Sequence, residues 1–257
     1  LKVINLERVA ATMGAPQQMM FMNPYRFGSG ADPDFSMRSL LMHMEGGSFV
    51  DSSSYAHTIT ATGATQDTGW SYFGTKSALI ATSSSSTNKI TIPDHAAFDF
   101  GSGEFTIAFA LRIATLPGTQ MCVLLKAAGT GAYPFQIIIT SGSNLVFRGF
   151  DTLGNNFTRT SATTLATNTD YWVQCRRRNG TTGSFMEIGI NGVQDDTSPG
   201  STVYPLGRAM FQNTGAVVIG NYNSGSIQPL QGRIDELVIT KGKAEAFAVP
   251  TSAFSDS

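Results

Sequence analysis

The sequence predicts an all-β protein, built as an antiparallel β-sandwich or jelly roll. Apolar and polar residues alternate over many short stretches, which is the period of a half-buried strand. Runs rich in Gly, Ser, Asn and Asp separate those stretches and mark turns. Two strand-like segments, Leu40–Glu45 and Ile234–Thr240, stand near opposite ends of the chain. A sandwich closed by its first and last strands sets two such segments side by side.

Each element has its own signal. The clearest strand is Phe105–Ile113, where Phe105, Ile107, Phe109, Leu111 and Ile113 share one face and Thr, Ala and Arg the other. Between Leu40–Glu45 and that strand lie His57–Ala61, Ser77–Ile80 and Lys89–Ile92, the last ended by Pro93. Met121–Leu125 and Phe135–Thr140 follow, and the latter pairs with Leu145–Arg148 across Ser141-Gly142-Ser143-Asn144. Tyr171–Arg177 and Phe185–Ile190 form another hairpin through Asn179-Gly180-Thr181-Thr182-Gly183. Val217–Gly220 and Ile234–Thr240 close the set, about a dozen strands in all.

Composition narrows the function classes. Only 14% of residues are charged and the net charge is −1, so the surface is neutral and hydroxyl-rich. Nucleic-acid binding needs basic side chains gathered on one face. The only basic run, Arg176-Arg177-Arg178, reads as strand-end charge whose neighbours alternate between faces. No apolar run approaches the roughly 20 residues of a membrane helix. The two cysteines, Cys122 and Cys175, fall in strands and read as buried free thiols. The chain opens on Leu1 without a secretory-signal pattern.

Residues 1–39 differ from the rest: methionines, Pro and Gly replace sustained alternation. This stretch is expected to be an irregular N-terminal arm that docks on another protein or lies on its own domain. Residues 40–257 then form the sandwich domain.

Four segments resemble the concanavalin A-like sandwich, and within it the laminin-G-like jelly rolls found in many phage virion proteins. They are Leu40-Leu41-Met42-His43-Met44-Glu45-Gly46, Ile92 to Ile107, Tyr171 to Arg177 followed by Ile188 to Val193, and Gly232-Arg233-Ile234-Asp235-Glu236-Leu237-Val238-Ile239-Thr240-Lys241-Gly242. Leu79-Ile80-Ala81-Thr82 departs from the family pattern by lacking an aromatic and an acid, and Gln174 stands where His is commoner. The resemblance implies a calcium ion between the first and last strands, with Glu45 and Asp235 as carboxylate ligands. The plainer alternative has Asp235 accepting turn N–H bonds and Glu45 in solvent.

Catalysis is not expected. A retaining glycosidase needs two carboxylates about 5 Å apart, and the Glu-x-Asp-x-Glu strand of related glucanases is missing. Asp235-Glu236 and Asp195-Asp196 are adjacent pairs, whose side chains leave opposite faces of a regular strand. Asp99 and Glu104 flank a Gly-Ser-Gly turn and read as a solvated loop. Thr65 to Trp70 reads as a polar turn. His43, His57 and His95 sit in separate segments, and no nucleophile elbow is present. Tyr133, Tyr204 and Tyr222 are loop aromatics available to stack on a sugar ring.

The resemblance therefore implies a non-enzymatic virion protein, a capsid decoration or a head or tail fibre component. It would be a homo-oligomer on the particle surface, attached through the arm to other virion proteins. The alternative is an adhesin for host surface glycans, and a glycoside hydrolase ranks last.

Overall fold

The structure is a computed structural model, and it describes residues 31–84, 87–129, 131–198, 204–222 and 227–257. Two antiparallel sheets of eight strands face each other. One sheet holds β1 (Arg38–Met42), β3 (Thr65–Asp67), β4 (Ser77–Leu79), β6 (Phe105–Ile113), β11 (Asp170–Asn179), β12 (Ser184–Ile190), β13 (Val193–Gln194) and β16 (Gly232–Lys241). The other holds β2 (Thr60–Thr62), β5 (Lys89–Ile92), β7 (Gln120–Lys126), β8 (Phe135–Ile139), β9 (Asn144–Phe150), β10 (Asn156–Thr164), β14 (Val217–Ile219) and β15 (Ile227–Pro229). The first sheet runs β13-β12-β11-β6-β16-β4-β3, and the second β10-β9-β8-β7-β14-β5-β2. The one parallel pairing among the strands described is β15 on β7.

The first and last strands pair as the sequence implied, Leu41 opposite Val238 and Met42 opposite Leu237. β1 and β4 share one edge of β16, because β4 takes Arg233 and Ile234 while β1 takes Leu237 to Thr240. Between these two stretches β16 bulges: its register with β6 slips from Asp235 to Val238, and Glu236 takes a left-handed φ of 48°.

The inward faces interdigitate into one core. Phe105, Ile107, Phe109, Leu111 and Ile113 meet Phe135, Ile137, Phe147, Val217 and Ile219, all fully buried. Each such side chain contributes roughly 1.5–3 kcal/mol by leaving water. The sequence predicted a half-buried β6, but its other face is covered too. Ala108 and Ala110 lie in a second cluster with Leu41, Trp172, Val238 and Phe254. The C-terminal stretch after β16 crosses this outer face, and small side chains on β6 give it room.

The arm expectation divides. Residues 1–30 lie outside the described residues. Residues 31–39 belong to the sandwich: β1 starts at Arg38, and the Asp32 amide donates to the Ser257 carbonyl at 2.7 Å. Arg38 is fully buried between Asp32, Thr240 and Glu245.

The Arg176-Arg177-Arg178 run splits across the sheet. Arg176 and Arg178 face outward and both pair with Glu187. Arg177 is no strand-end charge. It is buried, donating to the Gly101 and Arg208 carbonyls and to Ser184 Oγ, so it ties two loops to the start of β12. Cys122 and Cys175 are buried and free, and burial pushes both thiols above their ordinary pKa. No helix among the described residues is long and apolar enough to cross a membrane.

Candidate functional site

Of the two residues singled out for calcium, Glu45 lies where β1 runs into the loop 43–52. Glu45 Oε1 accepts the Thr75 and Lys76 amides at 2.7 and 2.8 Å, and Oε2 accepts Thr75 Oγ1 at 2.8 Å. Gly74 makes this approach possible: its φ is +65°, and a Cβ there would stand 2.3 Å from Glu45 Oε1. Burial raises the Glu45 pKa, but the Thr75 and Lys76 bonds outweigh it and hold the carboxyl below its ordinary value.

Asp235, at the bulge of β16, holds the other end of the segment 72–76. Its Oδ2 accepts the Tyr72 and Phe73 amides at 2.7 and 3.2 Å, and its Oδ1 accepts the Glu236 amide at 2.9 Å. Burial pushes this carboxyl up to about 7 against the pull of those amides, and the Glu236 charge adds to the rise. The donor set does not suit calcium. Every oxygen of both carboxylates already faces an N–H or O–H, and a cation would meet those hydrogens. Among the described residues, no group of three or more His, Cys, Asp and Glu gathers as metal ligands. The plainer alternative describes Asp235, and Glu45 accepts amide bonds as well.

The bulge also changes where Asp235 and Glu236 point. Adjacent residues of a regular strand would leave opposite faces, but here both carboxylates serve the outer side of the sheet. Asp235 takes the 72–73 amides. Glu236 takes His43 Nδ1 at 3.0 Å, while His43 Nε2 meets Asp256 at 2.7 Å. Desolvation lowers the His43 pKa, but the bonds and charges of Glu236 and Asp256 overcome it and raise it to about 9.

Three other acids singled out from the sequence are also bound into loops. Asp195 accepts the Thr163 amide and hydroxyl, and Asp196 accepts the Ser198 amide. Glu104 accepts the Asn179 and Ala244 amides, so it belongs to the framework and not to a solvated turn with Asp99. The expected polar turn at Thr65–Trp70 contains β3, and Trp70 packs on the second cluster.

Two further open features stand out among the described residues. A groove of about 540 Å³ lies between the edges at β2 and β3, lined by Phe49, Ile59, Ala61, Ala64, Gln66 and Lys76. Gln66 Nε2 fixes its rim by facing the Met44, Glu45 and Ser48 carbonyls. The second feature is a cluster of rings. Tyr55 and His57 lie parallel with centroids 5.5 Å apart, and His95 meets both edge-on at 5.3 and 4.9 Å. His57 rests on buried Phe98 at 4.8 Å.

Two of the three scattered histidines thus converge, which sequence separation concealed. The tyrosines named from sequence are engaged elsewhere. Tyr204 is buried with its hydroxyl on the Asn155 carbonyl, because its strand-like bridge to Ser184 turns it inward. Tyr133 stacks edge-on against Phe150 under Arg148, and Tyr222 donates to the Gly129 carbonyl. Tyr55 was missed because it lies among polar loop residues with no alternation around it.

Two facing antiparallel sheets closed by their end strands define a lectin-type sandwich. A model described as the concanavalin A-like lectin/glucanases superfamily, of the laminin G type, matches residues 84–246. That is more than half of the sequence, and the chain belongs to this superfamily.

Solved structures agree on the fold. The binding domain of Paraclostridial Mosquitocidal Protein 1 is 18% identical with a TM-score of 0.60, over 82% of this chain and 50% of that one. The receptor binding domain of botulinum neurotoxin D is 15% identical with a TM-score of 0.56, over 82% and 50%. The binding domain of botulinum neurotoxin DC, solved in complex with SialylT, is 14% identical with a TM-score of 0.58, over 82% and 49%. This chain thus spans about half the length of each. No curated protein matches it.

Proposed function

We propose that this chain is a carbohydrate-binding module without catalytic activity. The observation that carries the reading is membership of the lectin/glucanase superfamily over residues 84–246. The solved complex of a structural neighbour with SialylT supports it. The absence of catalysis is argued from the acids: Glu45, Asp235, Glu104, Asp195 and Asp196 all accept framework hydrogen bonds. An acid and a nucleophile both need to face a sugar.

The test is a glycan array probed with the full chain, followed by titration of each hit. Saturable binding without product release is the expected result. A blank array across host-surface polymers overturns the reading, and so does release of new reducing ends.

A virion setting is the second reading, favoured by the resemblance of residues 40–46, 92–107, 171–177 with 188–193, and 232–242 to phage jelly rolls. The module would then sit on a capsid, tail or fibre as a homo-oligomer, with residues 1–30 contacting other virion proteins. Electron cryo-microscopy of the particle tests this, and a particle lacking density for the chain rejects it.

A further inference from the structure

We infer that the open ring cluster of Tyr55, His57 and His95 is the sugar contact of this module, taking the apolar face of a neutral hexopyranose. The inference rests on the carbohydrate-binding reading above and names its site. Tyr55 is 44% exposed and His95 is exposed, so these rings are open to a ligand, and aromatic rings offer both an apolar face and a polar edge.

The rings are held in place before any ligand arrives. Buried Asp51 accepts the Leu41, Ser53 and His57 amides at 2.8–3.0 Å, which fixes the loop beneath Tyr55. His57 Nε2 donates to the Ser39 carbonyl at 3.0 Å, leaving its Nδ1 as an acceptor. His95 Nδ1 accepts the Ala97 amide at 3.1 Å, which in the neutral ring puts the proton on Nε2 as a donor. A rigid platform carrying both a donor and an acceptor loses little entropy on binding. It suits a pyranose, whose C–H face lies against rings while its hydroxyls reach the rim.

Charge selects the class of ligand. Asp94, next to His95, keeps its carboxylate 32% exposed while it pairs with buried Lys126 at 2.6 Å. Paired with Lys126, Asp94 adds no net charge beside the platform, which favours a neutral sugar over a charged one. The weak net charge of −1 also argues against a nucleic-acid strand stacking its bases there.

The experiment uses the full chain and the best neutral oligosaccharide from the array, measured by calorimetry. Tyr55→Ala and His95→Ala should each weaken binding about tenfold or more, while Tyr55→Phe stays within about threefold. Lys76→Ala, in the groove between β2 and β3, should bind like the parent. In the parent, the imidazole NMR signals of His57 and His95 should shift on titration, a readout that needs no variant. Unchanged affinity in both ring variants, unmoved imidazole signals, or a loss confined to Lys76→Ala overturns the platform and leaves the carbohydrate reading standing. A parent that binds no glycan overturns both. A parent that binds single-stranded homopolymeric DNA through Tyr55 in preference to sugars overturns the ligand class.

Discussion

Two groups of rings sit on the outside of this sandwich, and their fates differ. Trp172 on β11 lies 5.8 Å from Tyr72 and 6.1 Å from Phe254, centroid to centroid, under the C-terminal stretch. Only 1% of Trp172 is exposed. Tyr55, His57 and His95 are assembled as closely, but among the described residues no segment crosses Tyr55. Rings covered by the chain stabilise the fold. Rings pinned from below and open above contribute little to stability and are free to meet a ligand. The two groups should therefore respond oppositely to mutation.

The largest effect is expected at the covered group. Phe254→Ala removes the lid on Trp172 and should cost about 3–5 kcal/mol, read from the denaturant midpoint. Next is Asp235→Asn. The amide keeps one acceptor oxygen where the carboxylate had two, so either the 72–73 amides or the Glu236 amide lose their partner. The expected cost is about 1–3 kcal/mol, from the same measurement.

A smaller effect appears in the pH profile. The folded pKa of His43 is raised from 6.5 to about 9. Its contribution is therefore full below pH 6.5 and lost as pH rises through about 9. Asp235 has the same sign in a lower window: its pKa rises from 3.8 to about 7, so its contribution is full below 3.8 and lost through 7. Each of these two contributions should fade in its own window when thermal melts are compared with those of the matching variant. His43→Gln should flatten the upper window alone, and a profile unchanged by that variant would count against the Glu236–His43–Asp256 chain. The smallest effect belongs to the open group. Tyr55→Ala should change stability by less than about 0.5 kcal/mol. A loss comparable to that of Phe254→Ala would erase the contrast between the two groups.

Much of the fold was legible because strong alternation survives in its central strands. Lys89–Ile92 and Phe105–Ile113 match their expected limits. β10, Asn156–Thr164, was not foreseen: it is an edge strand with Phe157 as its one large apolar side chain, so its threonines show no hydrophobic period. The site was less legible. A bulge overrode the pleat rule at Asp235 and Glu236, and most of the amides that occupy Glu45 and Asp235 come from residues 72–76, far away in sequence. The ring cluster joins residues 55, 57 and 95 through loops that carry no periodic signal.

The bond from Asp32 to Ser257 has a mechanical consequence. β1 and β16 run antiparallel, and Arg38 pairs with Thr240 at the end where both chain segments leave the sheet. Tension applied through residues 31 and 257 would load this pair of strands by peeling, one hydrogen-bonded pair at a time, and not by shearing the whole ladder at once. The first resistance is the buried clamp of Arg38 with Asp32, Thr240 and Glu245. A module strained between its two ends would open from that clamp, while one held by the first end alone would leave it unloaded.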